Sequence, residues 1–279
     1  MKINVAKSAG FCFGVKRAID IAHKTLQTKN KIYMLGDIVH NEDIARQMRK
    51  AGIIRIKRLA SGQDKTLLIQ AHGSPRKILE KAYKLGYTII DATCPMVREI
   101  HKIATGLEKQ GYKIIIIGDL NHSEVQGIVG QLQHKAIVID SVKNIPLKKI
   151  KAIKKAGVVV QSTQNLDKAL AIVSVLKKYI KDLNFRNTIC QPTRTKQEEI
   201  KLLPQENDVM VIIGSKTSAN TKRLYEISKS VNKRSYWVRS KLDVKPIWFR
   251  NAKTVGVTAG ASTPDSTTQE VIEYIKSLT

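Results

Sequence analysis

Six stretches of the chain share one pattern: an unbroken apolar run, a small polar loop, then a helical stretch. They are "KIYMLGDIVHNE", "KTLLIQAHGSP", "YKIIIIGDLNHSE", "GVVVQSTQN", "DVMVIIGSKTSAN" and "KTVGVTAGASTPD". A strand with one face in water alternates apolar and polar residues, whereas an unbroken run needs cover on both faces. Apolar runs that alternate with helices therefore predict parallel strands joined by helical crossovers, an α/β fold.

The three cysteines punctuate this pattern. "KINVAKSAGFCFGVKRAIDIAHKTL" reads as a short strand, a turn holding Cys12 between Gly10 and Gly14, and an amphipathic helix. "YTIIDATCPMVREIHKIATGLEKQG" gives a strand, Cys94, Pro95 where a helix begins, and Gly111 past its end. "LNFRNTICQPTRTKQEEIKLL" gives a strand, Cys190, Pro192 and another helical run. Proline in the first turn and glycine after the last are ordinary helix punctuation. The order is one cysteine unit and two polar-loop units, three times over. It predicts three similar lobes, each a small, mostly parallel sheet flanked by helices, with approximate boundaries 1–94, 95–190 and 191–279.

An odd cysteine count argues against a disulfide framework, and the lack of any C-x-x-C pair argues against a zinc ribbon or a thioredoxin-like site. No apolar run approaches the ~18 residues of a membrane span. The start "MKINVAKSAG" has neither a signal-peptide core nor an Arg/Ser-rich presequence, which predicts a soluble, cytoplasmic chain. The net charge of +26 reads first as a compositional lysine excess, then as a surface for acidic partners, and last as a nucleic-acid interface. Its lysines are spread along the chain, and no aromatic-interleaved RNA-binding signature accompanies them. The densest cluster, "PLKKIKAIKKAG", reads as an amphipathic helix with a solvated lysine face.

In open α/β sheets, ligands bind beyond the carboxyl ends of the strands. Those ends carry His40, His72, His122, Glu124, Thr163, Ser218, Asn220 and Ser262 together with the three cysteines. Three of the six histidines sit at tips; His23, His101 and His134 fall on helices or surface loops. Thiolates at helix starts suit a metal, because the helix dipole and free N–H groups stabilise anionic sulfur. Two centres fit three thiolates and an open position: an iron–sulfur cluster with one reactive iron, or zinc. Histidine, serine and asparagine beside glycine-rich turns suit an anion such as phosphate, and His122 with Glu124 suits a proton relay. Ser218, Asn220 and Ser262 are equally suited to capping the next helix. Phe11 and Phe13 read either as shields of the Cys12 thiol or as core packing.

The stretches "AGFCFGV", "GDIVHNE", "AHGSP", "DATCPMV", "HSEVQG", "GSKTSANTKRL" and "VTAGASTPD", in this order and with these cysteines, resemble the 4-hydroxy-3-methylbut-2-enyl diphosphate reductase family over essentially the whole chain. The resemblance implies a trefoil of three α/β lobes around a 4Fe–4S cluster. Cys12, Cys94 and Cys190 would be its ligands, and one iron would stay open for the substrate hydroxyl. It implies diphosphate binding by His40, His72, Ser218, Asn220 and Ser262, proton donation by Glu124, and a hydroxyl-side network completed by His122 and Thr163. It further implies isopentenyl and dimethylallyl diphosphates as products, and an acidic electron carrier such as a ferredoxin or flavodoxin.

The chain departs from the family pattern at Ile128, where threonine is usual, and at Ala219, the second position of a Ser-Ser-Asn loop. It also departs at Pro192–Arg194 in place of Ala-Thr-Gln, and in "STQN" around Thr163. The alternative reading is a basic RNA- or ribosome-associated protein with structural or zinc-binding cysteines, which accounts for the charge but not for three matched cysteine junctions.

Overall fold

The computed structural model describes residues 1–29 and 31–278. In chain order the elements are β1 (Lys2–Val5), α1 (Phe13–Thr28), β2 (Ile32–Met34), α2 (Glu42–Lys50), β3 (Ile53–Arg55), β4 (Thr66–Ile69), α3 (Arg76–Lys84), β5 (Thr88–Asp91) and α4 (Pro95–Lys109). There follow β6 (Lys113–Ile117), α5 (Ser123–Val129), β7 (Ile137–Ile139), α6 (Leu147–Ile150), β8 (Lys155–Val160), α7 (Leu166–Lys177), β9 (Asp182–Phe185) and α8 (Gln191–Leu202). The chain closes with β10 (Val209–Ile213), α9 (Ala219–Val231), β11 (Ser235–Val238), β12 (Thr254–Ala259) and α10 (Asp265–Ser277). The six apolar runs are β2, β4, β6, β8, β10 and β12, and the cysteine units supply β1, β5 and β9.

These strands form three four-stranded sheets, ordered β3-β2-β4-β5, β7-β6-β8-β9 and β11-β10-β12-β1. Every pairing is parallel. Three similar α/β lobes are therefore present, each entirely parallel. The central strands are buried along almost their whole length, as with Val209–Ile213, because helices cover both faces.

The shared order reveals the phase of the repeat. Each sheet runs from a short edge strand through two tip strands to a cysteine strand. In two sheets the cysteine strand comes last in the chain; in the third, β1 from the N-terminus fills that place beside β12. Boundaries at 94 and 190 put Lys2–Val5 with the first lobe, whereas its ladder partners are Thr254–Val257. The three short strands β3, β7 and β11 add a fourth member to each sheet that the apolar runs did not reveal. "PLKKIKAIKKAG" is corrected: only Leu147–Ile150 is helical, and Lys155 already begins β8. The run needed to complete the sheet overrides the helical spacing of its lysines.

The chain divides into two compact units. One holds Met1–Lys16, His40–Asp43 and everything from Cys190 onward; the other holds Arg17–Val39 and Ile44–Ile189. The first unit contains the β11-β10-β12-β1 sheet, with a core of Val211, Ile213, Val257 and Ile275 against which Met1 and Ile3 pack. The second contains the other two sheets, one of them built on a core of Ile115, Val158, Ile172 and Leu176. Among the described residues, no helix is long and apolar enough to cross a membrane.

Because β1 shields one edge of β12, deleting residues 1–5 should cost on the order of 1 kcal/mol per ladder hydrogen bond. Hydrogen exchange should speed up in β12 while β5, in the other unit, keeps its protection. Unchanged protection in β12 would show that β1 is dispensable to its sheet.

Candidate active site

The loop after each tip strand repeats with a fixed count. His72, Thr163 and Ser262 each lie three residues past the end of β4, β8 and β12. After the other tip strands, Gly36, Gly118 and Gly214 are followed four residues later by His40, His122 and Ser218, and six residues later by Glu42, Glu124 and Asn220. The stretches 36–42 and 118–124 even share the pattern G-D-x-x-H-x-E. That spacing is the signal that could have drawn attention to Glu42, which the motif reading passed over.

In the second unit the structure brings His72, His122, Glu124 and Thr163 into one hydrogen-bonded neighbourhood. The rings of His72 and His122 stand edge to face, 6.4 Å between centroids. His122 is the N-cap of α5, and its Nδ1 accepts from the Glu124 amide at 3.2 Å. The Glu124 carboxylate is 3% exposed and accepts from the Ser162 amide and the Ser162 hydroxyl, each at 2.6 Å. Gln161 joins the two tips of this sheet: its Oε1 accepts from the Asp119 amide at 2.8 Å, and its Nε2 donates to Thr163 Oγ1 at 2.9 Å. Ser162 and Gln161 are thus the partners the motif reading missed.

Burial pushes the Glu124 carboxyl above its ordinary range, and the two Ser162 hydrogen bonds oppose that shift without cancelling it. The folded protein therefore holds this proton to higher pH than the unfolded chain does. Its contribution to stability is greatest at low pH and declines as pH rises from the ordinary carboxylate range toward the raised value. Beneath the same loop, burial lowers the pKa of His101 to about 4 against the opposing charge of Asp91. The ring is thus neutral, and it packs where a Cβ on Gly73 would meet its Cε1 at 2.9 Å.

The anion-type residues His40, Ser218, Asn220 and Ser262 all fall in the first unit. Ser218 caps α9, its hydroxyl accepting from the Thr221 amide at 3.3 Å. Asn220, 4% exposed in the first turn, has a side-chain oxygen and nitrogen that are both buried without a hydrogen-bond partner. The Ser262 hydroxyl donates to the His40 carbonyl at 3.0 Å, and the Asn41 amide nitrogen donates to the Ser262 carbonyl at 2.9 Å. Glu42 accepts from Thr217 Oγ1 at 3.4 Å. Burial pushes Glu42 up, but hydrogen bonds from Ser215 and Thr217 and the Arg239 charge outweigh it and hold the carboxyl below its ordinary range. Gly260 is obligatory here: a Cβ would stand 2.0 Å from Thr221 Oγ1, so the start of α9 lies directly on the strand ends.

All three cysteines are free and partly buried. Cys94 and Cys190 are the N-caps of α4 and α8, and Cys12 immediately precedes α1. Two are tied to a tip in the same way. The Cys94 amide donates to the carbonyl of Ala71, just before His72, at 2.8 Å; the Cys12 amide donates to the carbonyl of Ala261, just before Ser262, at 3.1 Å. Cys190 Sγ lies 3.2 Å from Thr193 Oγ1. Phe13 is 68% exposed, so it does not pack in a core. Ile128 is fully buried in the core with Ile100 and Val125, which accounts for an apolar residue there. Among the described residues, no three His, Cys, Asp or Glu side chains stand grouped as a metal-binding set. A cleft of about 980 Å³ lined by Lys113, Lys135 and Ile153 contains none of the expected site residues. Its lining takes in the amino ends of β6 and β8, part of β7, and Leu120 between Gly118 and His122.

The family profile described as LytB protein matches residues 3–276. The chain belongs to this family. It is 39% identical to the 4-hydroxy-3-methylbut-2-enyl diphosphate reductase of Aquifex aeolicus, over 99% of this chain and 94% of that protein. It is 36% identical to the enzyme of the same name from Geobacter metallireducens, over 100% of this chain and 98% of that protein. Among solved structures, one of (E)-4-hydroxy-3-methyl-but-2-enyl diphosphate reductase, the terminal enzyme of the non-mevalonate pathway, matches with a TM-score of 0.73 and 38% identity, covering 99% of this chain and all of that one. The corresponding reductase from Plasmodium falciparum matches with a TM-score of 0.88 and 29% identity, covering 98% of this chain and 87% of that one. These likenesses do not favour the RNA-associated alternative.

Removing the Ser162 hydroxyl takes away a donor that stabilises ionised Glu124. In Ser162→Ala the Glu124 carboxyl should therefore titrate at still higher pH, read by infrared difference spectroscopy of its carbonyl band. A downward shift would mean that the serine does not act on the charged form.

Proposed function

We propose that this chain reduces 4-hydroxy-3-methylbut-2-enyl diphosphate to isopentenyl and dimethylallyl diphosphates. The observation that carries the proposal is Glu124: a carboxyl whose pKa burial raises, two residues from His122, in a LytB-family chain matched over nearly its full length. The net reaction breaks the allylic C–O bond. Two electrons and two protons enter; one proton completes water on the leaving oxygen, and the other forms the new C–H bond at either end of the allyl unit.

The chemistry of the donor set fits an iron–sulfur centre. Cys12, Cys94 and Cys190 are free thiols, each placed directly before a helix whose first N–H groups favour anionic sulfur. A 4Fe–4S cluster held by these three would supply the electrons and one iron open to the substrate hydroxyl.

The remaining work falls to the side chains. Glu124 gives its proton to the departing oxygen, and Ser162 holds the carboxyl in place and tempers its pKa. His122 and Thr163, the latter oriented by Gln161, complete the hydrogen bonds on the hydroxyl side. Asn220 donates its unpaired amide N–H to the diphosphate, beside the Ser218 cap and the N-terminus of α9, where an anion is stabilised. Ser262, His40 and His72 are the further diphosphate groups, and Ala219 removes one hydroxyl donor from this loop. Diphosphate contacts remote from the reacting carbon orient the alcohol and so contribute to the rate rather than to binding alone.

Anaerobically purified protein should be brown and contain about four irons per chain, as one cubane requires. Glu124→Gln should keep the iron and the diphosphate affinity but lose at least about 10²-fold in turnover, the scale of a general acid. A colourless, zinc-loaded protein would sink the cluster, and undiminished turnover in the variant would remove Glu124 from the proton-donor role.

The electron donor, in this proposal, is a small acidic carrier of the ferredoxin or flavodoxin type. The support is the net charge of +26, which steers an acidic protein to the surface. Stopped-flow reduction by such a carrier should slow steeply as salt rises from about 50 to 500 mM, since screening shortens the Debye length. A salt-independent rate would exclude electrostatic steering.

A further inference from the structure

Lys196 is one of 49 Lys and Arg residues, and nothing in the sequence distinguishes it. In the structure it is 3% exposed, on α8 of the first unit, two turns past the Cys190 N-cap. Its Nζ donates to the Ser8 carbonyl, to the Gly10 carbonyl at 3.1 Å and to the Ala259 carbonyl at 3.2 Å. An ammonium has three N–H donors and no acceptor, so these three carbonyls satisfy it completely. Burial lowers its pKa to about 8 while the charges of Cys12, Glu199 and Asp265 resist, so it stays an ammonium at neutral pH.

The identity of the three carbonyls gives the contact its meaning. Ser8 and Gly10 form the turn that leads into Cys12. Ala259 ends β12, three residues before Ser262. A second group from the same helix holds the same turn: the Glu199 carboxylate accepts from the Ser8 hydroxyl and from the Ser8 amide at 3.0 Å. Gly10 itself has φ +92, and a Cβ there would stand 2.4 Å from Asp265 Oδ1, so the turn has one available path. Buried charge demands fixed partners, because an ammonium left without its carbonyls inside the protein is costly. The Cys12 turn and the helix that begins at Cys190 therefore move as one piece.

We propose that Lys196 is a positioning residue that straps the Cys12 turn to the helix starting at Cys190, fixing two of the three thiols relative to each other. The metal-related part rests on the reading of those cysteines as cluster ligands; the strap itself does not. The Lys196–Glu199 pair works as two arms, a cation on the carbonyls and an anion on the Ser8 donors.

The test uses the full chain in two states. After removal of metal with a chelator, hydrogen exchange is followed at the Gly10 and Cys12 amides, whose acceptors are the Ala259 and Ala261 carbonyls. Lys196→Met should speed that exchange at least about tenfold, the scale of losing a local strap. Lys196→Arg, which keeps charge and donors, should stay near the parent, and Thr88–Asp91 in the other unit should not change. Exchange within twofold of the parent in Lys196→Met would overturn the strap. Should that variant fail to fold, Glu199→Gln reads the other arm through the Ser8 amide, and unchanged exchange there overturns the proposal equally.

In the protein purified with its metal, iron should be lost to a chelator faster from Lys196→Met than from Lys196→Arg at matched thermal stability. The midpoint potential of the Met variant should also fall with the loss of a nearby cation. Equal iron retention and equal potentials in the two variants would reduce Lys196 to a structural lysine and overturn the positioning role. A parent chain that binds no iron sinks the proposed function, and the strap then stands or falls on the exchange alone.

Discussion

A parallel strand ladder with helical crossovers has a direction, and the rest of this chain depends on it. Within each sheet the carboxyl ends of the strands and the amino ends of the following helices arrive at one edge. The first turn of a helix has N–H groups with no partner inside the helix, so that edge is rich in unpaired donors and carries partial positive charge. Thiols, carboxyls and amides placed there meet an environment that favours anions. The amino ends of β6 and β8, by contrast, begin with Lys113 and Lys155.

The consequence is visible at the cysteines. Cys12 and Cys94 stand in different sheets, yet each donates its amide to the carbonyl just before a tip residue, Ser262 in one case and His72 in the other. Strand order explains the correspondence, since the cysteine strand always neighbours the second tip strand. The N-terminal strand β1 takes this place in the last sheet. The first residues of the chain and its last strand are thereby built into one site-bearing edge.

Much of this was legible in the residues, and the exceptions have physical causes. The six tip strands are unbroken Ile/Val-rich runs because both faces are covered. The edge strands β3, β7 and β11 are three or four residues long, with Ile54 and Arg55 exposed, too short to impose a pattern. "PLKKIKAIKKAG" has helical spacing at Leu147, Ile150 and Ile153, but β8 takes the residues from Lys155 on, which a helix would have needed. Tip residues stood out because histidine and glutamate are unusual beside apolar runs. Their partners did not: Ser162 and Gln161 are ordinary polar residues, and Lys196 is one lysine in a lysine-rich chain. A contact that joins residue 196 to residues 8, 10 and 259 has no sequence signature, since only the folded sheet order brings those carbonyls together.

The three equivalent tips show how one backbone position serves different chemistry. Six residues after the loop glycine stand Glu42, Glu124 and Asn220, each in the first turn of a helix or beside it. Glu124 is buried, accepts hydrogen bonds from the Ser162 amide and hydroxyl, and burial holds its pKa above the ordinary carboxylate range. Glu42 is less buried, has Ser215, Thr217 and Arg239 around it, and ionises readily. Asn220 carries no charge at any pH, and its two polar atoms are buried without protein partners, a cost of about 1–3 kcal/mol for each such group. A carboxylate in its place would repel an anion arriving at the same helix start, whereas an amide can donate to it and recover that cost. The proposed diphosphate role therefore requires a neutral donor at 220, just as the proposed proton transfer requires an acid at 124. The shared scaffold fixes where these groups stand, and the immediate neighbours fix what each can do.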